Sequence, residues 1–322
     1  MNKSAYLLSE IQAGMAALFI RVGLGLVFVI GGTSKLSLLL GSSTHDAMVS
    51  NYMSTSGYIN ALFQEYLFTG AIGDLLSPAI FLTALSAFEL ISGIALILGL
   101  FVRPLSLFYG FLLWTFVIAL PTMTVPGISL EAKTYTSPAI FVQIRDIALS
   151  GFMFVLYNLG SGTKSLDHRF LRPQITADWN ALGLLLRLSL ASVMIVGGFF
   201  GAFGNITSFA TPQLILAITG ILLIFGSKKV VQASSVVVMG VMLWYMFSKF
   251  GIDKTLIKNL NGFKREFALF ASAGVLFLLG GGERYTLMDL LRRSKLYIQQ
   301  FIGGGRDEGT LDLPAEGKLS AE

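Results

Sequence analysis

Eight apolar stretches dominate this chain. They cover about 17–40, 78–100, 105–125, 138–159, 182–203, 212–225, 230–247 and 267–279. A helix needs about 20 apolar residues to cross a bilayer, so 212–225 and 267–279 have to borrow flanking residues. Backbone in lipid must satisfy its own hydrogen bonds, which makes each stretch a helix. Charged residues are 13% of the 322 and hydrophobic residues 54%. Soluble domains carry about 25% charged residues, and a chain of this length has no core large enough to hide so much apolar surface from water. The composition excludes a soluble enzyme, a disordered protein and a nucleic-acid binder. It predicts a polytopic membrane protein whose one essential partner is the lipid bilayer. The first stretch has no small-x-small cleavage site before a polar region, so it is expected to remain as a span rather than serve as a removable signal.

The stretches repeat in order. Arg21 leading to Gly31-Gly32 is matched by Arg187 leading to Gly197-Gly198, shifted by 166. Gly93 and Gly99 are matched by Gly220 and Gly226, shifted by 127. Gly110 and Trp114 are matched by Gly240 and Trp244, shifted by 130. Arg145-Asp146-Ile-Ala-Leu149 is matched by Arg265-Glu266-Phe-Ala-Leu269, and Gly160 and Gly162 by Gly280 and Gly282, all shifted by 120. The expected architecture is all-α, with eight transmembrane helices arranged as two tandem four-helix bundles. Residues 1–173 form the first unit. Residues 174–302 form a degenerate second unit with an interfacial helix, and 303–322 a disordered tail. An even number of helices per unit makes the repeat parallel. The first unit carries a long connection, Gly41 to Ser77, where the second has only Gly204 to Thr211. Glu89 in the first unit is matched by Leu216 in the second.

Lys and Arg set the orientation. With the N-terminus inside, one face holds 13 of them, from Lys3 and Arg103 to Arg306 and Lys318, and the other holds 6, from Lys133 to Arg265. Both termini are expected to be cytoplasmic, in the plasma (inner) membrane of a prokaryote. After the eighth stretch, Leu287, Leu290, Leu291, Tyr297, Ile298, Phe301 and Ile302 recur at helical spacing opposite Arg292, Arg293 and Lys295. That pattern predicts an amphipathic helix at the interface. Aromatics in the long connection (Tyr52, Tyr58, Phe63, Tyr66 and Phe68) suit interfacial anchoring or a lid.

Chemistry has few places to reside. Cysteine is absent and only His45 and His168 are available, both in segments that read as loops. Thiol chemistry, iron–sulfur clusters, a bis-histidine haem and a metal site are therefore not expected. A redox role would need a diffusible carrier such as a quinone. No Walker loop, Ser-His-Asp set or basic nucleic-acid stripe is present. Charges inside spans are costly and point to function by default. Glu89 with Arg21 reads as a structural ion pair or as a proton relay and quinone headgroup contact. Arg145-Asp146 with Lys35 reads as a bundle-holding salt bridge or as a clamp for a small oxyanion. The paired glycines are expected to let helices approach closely.

These residues resemble the DoxX/DoxD membrane family. The likeness lies in Arg21-Val-Gly-Leu-Gly-Leu-Val-Phe-Val-Ile-Gly-Gly32 with Lys35-Leu36, in Glu89-Leu-Ile-Ser-Gly93 running to Leu96-Ile-Leu-Gly-Leu100, and in Arg145-Asp-Ile-Ala-Leu149 ending in Gly160-Ser-Gly162 and Ser165-Leu-Asp167. DoxD-type members similar to this chain are membrane subunits of thiosulfate:quinone oxidoreductase. The resemblance implies a subunit of a respiratory or sulfur redox system that oxidises thiosulfate with quinone as acceptor. Glu89 and Arg21 would then be catalytic, and Lys35, Arg145 and Asp146 would bind the anionic substrate. The fused thiosulfate enzymes carry a different second part. Two other functions stay open: a non-enzymatic accessory or assembly subunit among the other subunits of a respiratory complex, and a small-molecule transporter.

Overall fold

A computed structural model describes residues 7–54, 61–129, 133–134, 137–171, 178–200 and 212–282, with 284, 286, 287, 289–292, 294 and 295. Apart from one strand pair, β1 (Lys133–Thr134) antiparallel to β2 (Ser137–Pro138), the regular elements are helices. Six are long and apolar enough to cross a membrane: α1 (Glu10–Leu39), α5 (Pro78–Leu98), α6 (Val102–Ala119), α8 (Ala139–Leu159), α10 (Trp179–Phe199) and α12 (Lys228–Lys249). Two further helices of the same packing are shorter, α11 (Pro212–Phe225) and α14 (Lys264–Leu279). Short helices fill the connections: α2 (His45–Met53), α3 (Ala61–Leu67), α4 (Gly70–Leu75), α7 (Pro121–Thr124), α9 (Leu166–Leu171) and α13 (Leu256–Gly262).

Local sequence explains where the long helices begin and end. Ser9 and Gln12 form a capping box at the start of α1. Ser77 caps α5, with Pro78 in its first turn, and Gly99 closes it in the left-handed region at φ 74°. The tight corner into α6 puts Phe101 at φ 53°. Asp167 secures that corner, its two carboxylate oxygens accepting from the Phe101 and Val102 N–H groups, both at 2.9 Å.

Helix α1 packs most extensively on α5 and next on α14, while α8 packs on α6 and α10. The α1–α8 contact is smaller than either α1–α14 or α8–α10. The first and second halves therefore share one core, with Leu24, Phe152, Trp179, Leu190 and Leu276 all in the same buried cluster. Glycine sets the closest approaches. A Cβ at Gly32 would lie 2.6 Å from the Leu90 backbone N, and one at Gly93 2.7 Å from Val29 N. At the shifted positions, Gly198 would meet Ala217 N at 2.8 Å and Gly220 would meet Ile195 N at 3.1 Å. Gly31, by contrast, faces a charged side chain rather than a neighbouring backbone.

The described parts of the 41–77 connection hold the short helices α2, α3 and α4. Met48 joins Leu39 and Leu82 in a small apolar cluster, with Tyr52 and Phe68 packed against it. Tyr66 is exposed, and Tyr58 and the Phe63 side chain lie outside the described residues. His45, expected in a loop, opens α2, and its Nδ1 lies 2.6 Å from the Leu39 carbonyl at the end of α1. Beyond α14, the described residues from Leu287 to Lys295 include a helical run with Leu287, Leu290 and Leu291 exposed. The expected Tyr297–Ile302 face, the 303–322 tail, Gly201 and the 204–211 connection fall outside the described residues.

Candidate functional site

The buried charges separate into two groups at opposite ends of the bundle. Arg21 and Glu89 do not meet. Arg21 donates through Nη1 to the carbonyls of Leu96 (3.4 Å) and Ile97 (2.8 Å), and through Nη2 to that of Lys164. It closes the orphaned C-terminal carbonyls of α5 and pins the turn after α8. Arg187 does the same in the second half, donating to Ile224 (3.2 Å) and Arg284 (2.9 Å). Both side chains are buried, and their partners sit at matching repeat positions. The register explains the separation. Lys35 lies about 21 Å along α1 from Arg21, at 1.5 Å per residue, and α5 runs antiparallel so that Glu89 falls opposite the later part of α1.

Glu89 Oε2 instead pairs with Lys35 Nζ at 2.5 Å. Next to this pair, Arg145 Nη1 reaches Glu266 Oε1 at 2.7 Å. Arg265 holds Asp146 through both carboxylate oxygens, at 2.7 and 3.2 Å. The arrangement is reciprocal: the Arg of each Arg-acid dipeptide pairs with the acid of the other. Arg145 also lies over the Phe141 ring at 4.1 Å and donates from Nε to the Phe141 carbonyl. Glu266 is wholly buried, and its Oε2 has no hydrogen-bond partner among the described residues.

Lys264 joins these pairs into one cluster. It heads α14 and donates to Asn261 Oδ1 at 2.9 Å. A Cβ at Gly31 would meet Lys264 Nζ at 3.0 Å and Glu89 Oε2 at 3.5 Å. Lys264 has no carboxylate within ion-pair distance among the described residues. The cluster thus holds four cations (Lys35, Arg145, Lys264 and Arg265) against three carboxylates (Glu89, Asp146 and Glu266). One cationic side chain is left without a carboxylate beside an apolar core, where Coulomb attraction for an anion is less screened than in water.

The structure brings Lys35 together with Glu89, places Arg145 and Asp146 alongside, and leaves Arg21 at the far end. Sequence reading assigned Lys264 to a loop on its way into the last span. One signal was available: the 120-residue shift sets Lys264 against Ile144, so the second half gains a cation where the first has an aliphatic residue. Among the described residues no group of three or more metal-ligating side chains occurs.

The DoxX family model matches residues 16–121. This stretch is a DoxX domain. It takes in α1, α5 and α6, and with them Arg21, Lys35 and Glu89. Arg145, Asp146, Lys264, Arg265 and Glu266 lie beyond its matched end. Comparison with curated proteins and with solved structures finds no match. The apolar helices and the DoxX domain make the chain an integral membrane protein.

Proposed function

We propose that this protein is a membrane redox subunit that oxidises a small anionic sulfur compound and passes the electrons to a quinone, with thiosulfate as the substrate that best suits the site. One observation carries the reading: the buried cluster of Lys35, Arg145, Lys264 and Arg265 outnumbers its carboxylates, and Lys264 is left without one. A bound oxyanion offsets the surplus cation, and the guanidinium and ammonium donors of the cluster take its oxygens. Two thiosulfates joined through a new sulfur–sulfur bond give tetrathionate. The two electrons released, with two protons, reduce quinone to quinol. Glu89, midway along α5 and paired with Lys35, is the carboxyl group positioned to take part in proton delivery. Arg21 acts on this reading by fixing the ends of α5 and α8, not by touching substrate.

The architecture that goes with this reading is a tandem duplication. The chain has eight spans, α1, α5, α6 and α8 followed by α10, α11, α12 and α14, with both termini cytoplasmic and the charge cluster toward the outer face. The matching Arg21 and Arg187 contacts and the reciprocal ion pairs support it. The same pairs support a second function, a non-enzymatic accessory or assembly subunit of a respiratory complex, because each carboxylate of the cluster already has a protein cation.

The test supplies the purified chain with thiosulfate and a soluble quinone and follows quinone reduction. On the enzyme reading, turnover appears, Lys264→Met and Arg145→Ala raise KM for thiosulfate, and Glu89→Gln lowers kcat. A folded protein that reduces no quinone but co-purifies with an oxidase or dehydrogenase establishes the accessory role instead.

A further inference from the structure

At the opposite end of the bundle from the charge cluster, a cavity of about 440 Å³ opens beside the end of α5 and the turn after α8. Leu98, Thr163, Lys164, Leu166, His168 and Arg169 line it. We infer that this cavity is a binding site for the phosphate headgroup of an anionic membrane phospholipid.

Its walls are fixed by contacts already in place. Arg21 holds the Lys164 carbonyl, and the Asp167 N–H donates to the Gly99 carbonyl at 2.9 Å. The one carboxylate in the segment, Asp167, spends both oxygens on the N–H groups that open α6. Asp167 therefore makes no ion pair with Lys164 or Arg169. Neither side chain has a hydrogen-bond or carboxylate partner among the described residues. His168 Nδ1 is buried in the same wall without a hydrogen-bond partner among the described residues. The matching position in the second half differs: Arg284, at the place of Lys164, lies 3.5 Å from Asp178. The matching corner of the second half therefore pairs the cation that this cavity leaves without a carboxylate.

Size and surroundings select the ligand. At about 440 Å³ the cavity has room for a glycerophosphate headgroup. It lies where α5 and α8 leave the apolar layer, and exposed Leu98, Phe101 and Phe170 flank it. A molecule with an anionic head and apolar chains meets both kinds of surface, with guanidinium and ammonium donors for the phosphate oxygens.

Native mass spectrometry of the purified full chain in a neutral detergent tests this. Phosphatidylglycerol is the probe, phosphatidylcholine the zwitterionic control and inorganic phosphate the competitor. One phosphatidylglycerol should be retained and phosphatidylcholine lost. Lys164→Gln and Arg169→Gln should each weaken retention about fivefold. Lys228→Gln/Lys229→Gln, which removes an exposed basic pair at the start of α12, should leave it unchanged. Equal retention of phosphatidylcholine, or an equal loss in the α12 variant, overturns the inference by reducing it to general surface charge. Displacement of the lipid by equimolar inorganic phosphate reassigns the site to free phosphate and overturns the lipid assignment. If Lys164→Gln does not fold, Arg169→Gln alone decides, since that side chain is exposed and has no hydrogen-bond or carboxylate partner among the described residues.

Discussion

The Arg145–Glu266 pair joins α8 to α14, and removing one partner should be among the most damaging single changes available. Glu266 has no exposure and Arg145 almost none. Glu266→Leu leaves a guanidinium buried against Phe141 and Tyr245 with no counter-charge. Breaking a buried pair in this way costs about 3–5 kcal/mol. Arg145→Met strands the carboxylate instead, at a similar cost. In Arg145→Met/Glu266→Leu both charges leave together and the volumes stay close, which is often neutral or stabilising by about 1–4 kcal/mol. The double variant should therefore recover most of the loss, giving a coupling energy of several kcal/mol. The Asp146–Arg265 pair is a graded comparison. Arg265 is partly exposed at 18%, so Asp146→Leu should cost less than Glu266→Leu. Denaturant titration in mixed micelles, followed by helical circular dichroism, measures all four. Single variants within about 1 kcal/mol of the parent, or a double variant no better than the worse single, would refute the argument that this pair clamps the two halves.

Other outcomes follow from the same geometry. Arg21→Met and Arg187→Met should each lower stability by about 2–4 kcal/mol, since each loses charged hydrogen bonds to buried carbonyls worth about 1.5–3 kcal/mol apiece before relaxation. The two losses should be alike in thermal melts, and a large loss in one alone would contradict their equivalence. Gly32→Ala should destabilise by about 1–3 kcal/mol, because the new methyl meets the Leu90 backbone at 2.6 Å. Gly240→Ala, with no atom within 4 Å of the added methyl, should be neutral or stabilising by up to about 1 kcal/mol. A reversed order in thermal melts would place the α1–α5 contact elsewhere. Asp167→Ala should cost about 0.5–2 kcal/mol by uncapping α6, seen as earlier melting.

The long spans were legible because they are written in local pattern, as apolar runs. The ion pairs were not, because a pair depends on relative height and on which helices are neighbours. Arg21 and Glu89 are both conspicuous charges in adjacent spans, yet Arg21 belongs to the end of α5 and Glu89 to the level of Lys35. Counting from the glycine contacts would have settled it, since Gly25 opposite Gly93 and Gly32 opposite Leu90 put Glu89 near Gly31. Lys264 was missed for a different reason. Its role depends on α14 lying against α1, a contact between chain segments more than 200 residues apart that no local pattern records.

That same contact bears on how the chemistry is shared between the halves. At the shifted positions that correspond to Lys35 and Glu89 the second half has Gly201 and Leu216. Yet Lys264, Arg265 and Glu266 all reach the cluster from α14. The first half on its own would leave Arg145 and Asp146 without their α14 partners and would lack the surplus cation beside Glu89. If the cluster is where function resides, the second half is the component that completes it. The free charge then depends on Lys264 entering at the position where the first half has Ile144. Lys264→Ile restores the first half's residue and keeps the three ion pairs intact. Such a variant should fold like the parent while losing its affinity for an anion, and a folded Lys264→Ile protein that binds thiosulfate unchanged would remove Lys264, and the second half's contribution with it, from the site.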